Sequence, residues 1–217
     1  MDIDFHNQVS IPIDEISLNG DLFIPDKAKA IIIFSHGSGS SRFSKRNRMV
    51  AEYLNKKHFG TLLFDLLTEE EDMGYSNRFD IHLLTNRLVN VVAWLKQVPE
   101  AQNYPIGLFG ASTGAASALQ AAAGLPEISA IVSRGGRPDL ADVEALHQVK
   151  APTLLIVGSL DTQVLELNEA ASEQLKCEKK LEIIEGASHL FEEEGKMDHV
   201  SKLAAQWFEK HVVVKVS

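Results

Sequence analysis

A serine, an aspartate and a histidine follow one another along this chain, each standing where an apolar run gives out. Ser112 lies in Gly110-Ala111-Ser112-Thr113-Gly114, Asp161 in Gly158-Ser159-Leu160-Asp161 and His189 in Gly186-Ala187-Ser188-His189. A serine hydroxyl is a weak nucleophile until an adjacent base takes its proton, and the base needs an acid to fix its tautomer and stabilise its charged form. The three residue types therefore predict acyl chemistry: Ser112 attacks a carbonyl, His189 removes its proton and Asp161 orients His189. Asp139 and Asp65 also follow apolar runs and compete as the acid, while His36, His147 and His199 compete as the base. Taken singly, Asp161 also reads as a helix cap and His189 as a loop histidine.

Attack on a carbonyl needs fixed donors for the oxyanion. The residue after the nucleophile supplies one, Thr113 N–H, and the loop Ser35-His36-Gly37-Ser38-Gly39-Ser40-Ser41 supplies the second. Ser38 N–H is the expected donor, with Gly37 and Gly39 one residue to either side. Arginines gather near these loops. Arg42, Arg134 and Arg137 could orient an anionic group on a substrate by charge-assisted hydrogen bonds, joined by Lys45, Arg46 and Arg48. The competing reading gives these side chains to solvent or to the acidic loop Glu69-Glu70-Glu71-Asp72, itself a charge run of the kind that is usually a solvated surface.

The elements that must hold these residues are visible as patterns. Ala30–Phe34, Thr61–Asp65, Ile106–Phe109, Ile128–Ser133, Thr153–Gly158 and Leu181–Ile184 read as strands, several of them apolar at every position, as in a parallel sheet covered on both faces. Between them, helical spacing appears at Met49, Val50, Tyr53 and Leu54, ended by Gly60. It recurs at Ile81, Leu84, Leu88, Val91 and Leu95, and again at Val164, Leu167, Ala171 and Leu175, a helix expected to contain Cys177. Val200, Leu203, Ala204, Trp207 and Phe208 mark the closing helix. Val9–Ile13 and Ile16–Leu18 precede Asn19-Gly20, a favoured hairpin turn. The expectation is one α/β domain over 1–217: a mostly parallel central sheet flanked by helices, an N-terminal β-hairpin and no large cap domain. The segments 66–80 and 134–148 should shape the site.

Composition narrows the partners. The chain has 217 residues, 21 basic against 30 acidic for a net charge of −9, and this disfavours attraction to nucleic acid or an anionic membrane. The one cysteine, Cys177, offers no disulfide, and no paired-cysteine metal motif occurs. The start of the chain carries acids where a secretory leader carries basic residues, and no apolar run approaches the ~20 residues of a membrane span. A cytoplasmic protein acting on a small molecule, with no metal or cofactor, is expected.

Residues 20 to 210 resemble the dienelactone-hydrolase-like branch of the α/β-hydrolases. The resemblance rests on Ser35–Ser41, Gly110–Gly114, Ser133-Arg134-Gly135-Gly136-Arg137-Pro138-Asp139-Leu140 and Ala187-Ser188-His189-Leu190-Phe191-Glu192-Glu193. The order serine, acid, histidine and the strand–Gly-x-Ser-x-Gly–helix corner are those of that fold. The branch takes its name from an enzyme with a cysteine nucleophile, where this chain has Ser112. The resemblance thus implies an esterase-type serine hydrolase for a small ester, thioester or lactone. Acyl transfer to an acceptor other than water would use the same residues, and a non-catalytic ligand-binding member would need only the fold. A dinucleotide-binding loop is disfavoured, because Arg42 stands where Gly-x-Gly-x-x-Gly requires its third glycine.

Overall fold

The computed structural model describes residues 3–212; Met1, Asp2 and 213–217 lie outside the described residues, and with them both ends of the domain expected over 1–217. The strands are β1 (Ile3–Ile13), β2 (Ile16–Pro25), β3 (Ile31–Ser35), β4 (Gly60–Phe64), β5 (Ile106–Ala111), β6 (Ile128–Arg134), β7 (Thr153–Gly158) and β8 (Lys179–Ile184). They make one eight-stranded sheet in the order β1-β2-β4-β3-β5-β6-β7-β8. β1, β2 and β4 pair antiparallel, and every pair from β4 to β8 is parallel. The helices among the described residues are α1 (Lys45–Lys56), α2 (Glu69–Met73), α3 (Ile81–Leu95), α4 (Thr113–Gly124), α5 (Val143–Gln148), α6 (Thr162–Gln174) and α7 (Lys196–His211). None is long and apolar enough to cross a membrane.

The continuous apolar strands have the cause expected of them. Alternate residues of each strand enter opposite cores. Ile31, Ile33, Leu108 and Ile131 pack with Leu84 and Leu88 of α3 and Leu119 of α4. Ile32, Phe34, Phe109 and Val132 pack with Val50 and Leu54 of α1 and Val200 and Phe208 of α7. The sheet order places the active end at one crevice. The chain leaves β3 for β4 on one side and then crosses to β5 on the other, so the loops after β3 and β5 diverge at a topological switch point, where open α/β sheets bind ligands.

Five local expectations are corrected. The hairpin turns at Asp14-Glu15, with Asp14 at φ 50°, while Asn19-Gly20 runs on inside β2 opposite Ser10 and Val9. The apolar alternation decides this, because Leu18, Leu22 and Ile24 are all buried and a turn at Asn19-Gly20 would break their common face. Gly20 serves close packing instead: a Cβ there would lie 3.1 Å from Val9 Cγ2 and 3.2 Å from Leu62 Cδ1. The acidic run is helical rather than a loop, though Glu69 and Glu70 are exposed: it forms α2, capped by Thr68 with Glu71 in a reciprocal capping box. Gly60 opens β4 rather than ending α1, which stops at Lys56, and Met49 lies off the buried stripe of α1 at 44% exposure. Cys177 lies beyond α6, which ends at Gln174.

Candidate active site

Ser112 occupies the corner between β5 and α4 at φ 51° and ψ −122°, a backbone conformation that an L-residue holds only when its surroundings enforce it. Hydrogen bonds enforce it here. Ser112 N–H donates to Arg134 C=O at 3.3 Å, and Ser112 C=O accepts from Ala115 N–H and Arg137 N–H, both at 3.0 Å. Close approach does the rest: a Cβ on Gly110 would collide with the Ala115 backbone, and one on Gly114 with the carbonyl oxygen of Ser35.

Asp161 stands at the amino end of α6 but does not cap it; its carboxylate accepts no bond from the helix. Instead Asp161 Oδ2 lies 2.6 Å from His189 Nδ1. That contact leaves Nε2 as the basic nitrogen of His189, whose side chain is 38% exposed against 15% for Asp161. The competing acids are otherwise engaged: Asp139 takes a two-pronged bond from Arg137, at 2.8 Å on each oxygen, and Asp65 pairs with Arg42. The competing bases are elsewhere, His147 on Gln174 at 2.8 Å and His199 exposed on α7. Ser112 and His189 both lie against the loop after β6. Arg134 receives the Ser112 N–H, and a Cβ on the adjacent Gly135 would lie 3.6 Å from His189 Cε1.

His36 builds the loop after β3. Leu66 N–H donates to its Nε2 at 3.1 Å, so the proton sits on Nδ1, which donates to Gly37 C=O at 2.9 Å. Burial pushes the His36 pKa below its ordinary value, against the opposing pull of the Gly37 bond and of Asp65 and Asp72. Gly37 then packs against Ser112, since a Cβ there would lie 3.1 Å from Ser112 Cβ. Ser38 N–H donates to Thr113 Oγ1 at 2.8 Å, tying the loop to the first residue of α4.

The three arginines singled out from the sequence differ in their company. Arg42 is paired with Asp65 and stacked on Phe43, with 4.1 Å from its guanidinium to the ring centre. Arg137 is held by Asp139. Arg134 is 6% exposed and among the described residues has no carboxylate partner; its side chain makes one hydrogen bond there, from Nη2 to Asn47 Oδ1 at 3.4 Å. Asn47 is a residue that sequence reasoning passed over. Its spacing to Val50 and Leu54 was the available signal, because an amide on a buried helical stripe must find a polar partner.

A cavity of about 190 Å³ lies beside these loops, lined by His36, Ser41, Phe43, Asp65, Leu67 and Asp72. Segment 66–80 forms one side of it and carries Met73, Tyr75 and Phe79, each more than 40% exposed. A larger cavity of about 480 Å³ between α1 and β2 is lined by residues such as Phe23, Asn55 and Leu63, remote from Ser112.

A family model described as an alpha/beta hydrolase domain matches residues 28–213. The chain belongs to the α/β-hydrolase family. The crystal structure of a dienelactone hydrolase from Anabaena variabilis is 51% identical, covers 96% of this chain and 99% of its own, and superposes with a TM-score of 0.93. An esterase from Pyrococcus furiosus shares the fold at 20% identity, with 96% and 93% coverage and a TM-score of 0.78. A Mycobacterium tuberculosis protein provisionally named a phosphoribosyl transferase is 50% identical over 207 residues, which are 94% of this chain and 46% of that protein. This α/β-hydrolase therefore spans about half the length of the curated relatives it matches.

Proposed function

We propose that this α/β-hydrolase is a serine hydrolase of small carboxylic esters, thioesters or lactones, working through an acyl-enzyme on Ser112. The observation that carries the reading is the 2.6 Å contact between Asp161 and His189, made by a carboxylate that stands at a helix start without capping it. It gives His189 a fixed tautomer with a free basic nitrogen, as a base for the serine held in the strained corner after β5 requires.

Ser112 Oγ attacks the carbonyl carbon as its proton passes to His189 Nε2, and Asp161 balances the imidazolium. The oxyanion is met by Thr113 N–H and by Ser38 N–H, the latter exchanging its bond to Thr113 Oγ1 for one to the oxyanion. Collapse breaks the bond to the leaving group, which takes the proton from His189. Water then gives a proton to His189 and attacks the acyl carbon, and the second collapse releases the acid and returns the proton to Ser112. The exposed Phe43, Met73, Tyr75 and Phe79 offer an apolar rim to the acyl or alcohol part. The partner is a small molecule; the net charge of −9 speaks against nucleic acid. The transferase name of the M. tuberculosis protein describes a chain of which this one matches 46%, and it is not carried over.

The test is fluorophosphonate labelling read by mass spectrometry on the native protein, Ser112→Ala and His189→Ala. Stoichiometric labelling on Ser112 that falls sharply in His189→Ala is expected. An unlabelled, folded native protein would leave only the ligand-binding reading of the fold.

A further inference from the structure

Arg134 poses a physical problem that the hydrolytic scheme leaves unsolved. A guanidinium carries five N–H donors and a permanent charge, and burying it without a counter-charge costs several kcal/mol. Among the described residues the Arg134 side chain has Asn47 alone, with its Nε buried and unpartnered, and the Phe191 ring centre lies 6.0 Å away. Burial, and then the neighbouring Arg46, lower its pKa to about 10, so it stays charged at neutral pH.

The surroundings add positive charge. Asn47, which Arg134 reaches, belongs to the first turn of α1, where Lys45, Arg46 and Arg48 stand with no acid among them. The first N–H groups of a helix lack intrahelical acceptors and carry its positive pole; Ser44 Oγ satisfies only that of Asn47. Arg46 also keeps a buried, unpartnered Nε. Its only acid among the described residues is Glu192, at 3.1 Å and 65% exposed. Two neighbouring guanidiniums and a helix pole thus stand together, with one loosely held carboxylate on Arg46.

We propose that Arg134, Arg46 and the first turn of α1 bind a phosphate-sized oxyanion carried by the substrate, displacing Glu192 from Arg46. The inference rests on the hydrolase reading of Ser112 for the identity of that substrate, but not for the anion site. A dianion matches two planar guanidiniums better than a single carboxylate does. The distance to the chemistry is short. Arg134 is the register neighbour of Ala111, one strand spacing of ~4.8 Å away, its carbonyl holds the Ser112 N–H, and Phe191 is two residues past His189. The substrate class is a phosphorylated ester, thioester or lactone.

Calorimetric titration with inorganic phosphate tests the site on the native protein, Ser112→Ala, Arg46→Gln, Arg134→Met and Glu192→Gln. Expected are saturable binding retained in Ser112→Ala, a loss of about tenfold or more in Arg46→Gln and Arg134→Met, as for a charged hydrogen bond, and tighter binding in Glu192→Gln. Because Arg134→Met could fail to fold, the half-exposed Arg46 decides the matter if it does. The source of the anion is read from kcat/KM for an acyl ester bearing a remote phosphate against its neutral analogue. A preference for the phosphorylated ester that falls about tenfold in Arg46→Gln is expected. Phosphate affinity equal across the variants overturns the site. A native protein that binds phosphate but turns over both esters equally overturns its assignment to substrate. Phosphate binding with no labelling of Ser112 instead fails the hydrolase reading, and the substrate source with it.

Discussion

Replacing Asp161 by Asn removes one charge while keeping the side chain's size, and its effect on turnover can be worked from the contact itself. As the imidazolium forms on His189, its charge centre lies ~4 Å from that of the carboxylate, worth about 4 kcal/mol at an effective dielectric constant of ~20. The His189 side chain is 38% exposed, so solvent screening takes roughly half, leaving ~2 kcal/mol. At 1.4 kcal/mol per tenfold, charge alone lowers kcat by about 30-fold. The amide has a second effect. If it turns its NH2 toward Nδ1, the ring proton must move to Nε2, and the base that faces Ser112 is lost; the same exchange in other triads costs about 10⁴. Asp161→Asn is therefore expected to lower kcat for an acyl ester by between about 30-fold and 10⁴, with KM little changed, since the interaction strengthens only as charge develops. Stopped-flow measurement of Ser112 acylation by a chromogenic ester reads this step directly. Asp139→Asn and Asp65→Asn, whose carboxylates face Arg137 and Arg42, should cost far less. A loss below threefold in Asp161→Asn, or a greater loss in either control, would refute the assignment of Asp161 as the orienting acid.

Two further outcomes follow from backbone strain and from burial. Ser112→Gly relieves a strained φ of 51° and should raise stability by about 1 kcal/mol, after the entropy cost of glycine is deducted, lifting Tm by roughly 2–4 °C while abolishing labelling; a fall in Tm would count against stored strain. His36 has a folded pKa pushed below its unfolded value near 6.5, so between those values the unfolded chain binds the proton and the folded one does not. Stability should therefore fall as pH drops from about 6.5 toward the folded value, and thermal melts across pH 5 to 7.5 should show a shallower fall in His36→Gln; equal slopes would remove His36 as the cause.

The sheet was legible because its strands are apolar on both faces, a pattern that survives without any knowledge of long-range partners. The places of Ser112, Asp161 and His189 in the fold could be anticipated for the same reason, each following the end of a strand. What sequence could not supply was pairing across the fold. Nothing local joins Arg42 to Asp65, Arg46 to Glu192 or Arg134 to Asn47, yet those pairings separate a neutralised arginine from an uncompensated one. The displaced hairpin turn has the opposite origin. Asn19-Gly20 is a strong local turn signal, and it lost to the burial of Leu18, Leu22 and Ile24 on one face. The capping box at Thr68 and Glu71 was present in the sequence as Thr-x-x-Glu but was masked by the run of acids it introduces.

The backbone partners of Ser112 also bear on how the molecule assembles. Residues 106–124 contain the strand, the serine and the helix, but not the acceptor of the Ser112 N–H or the second donor to its carbonyl, which come from Arg134 and Arg137. A chain growing from its amino end thus carries the corner without its clamps until β6 and the loop after it have been made and docked. His189 and its aspartate come later still. The Ser112 corner is thus among the last features to acquire its native form, and on the hydrolase reading proposed above the growing chain would stay chemically silent until then.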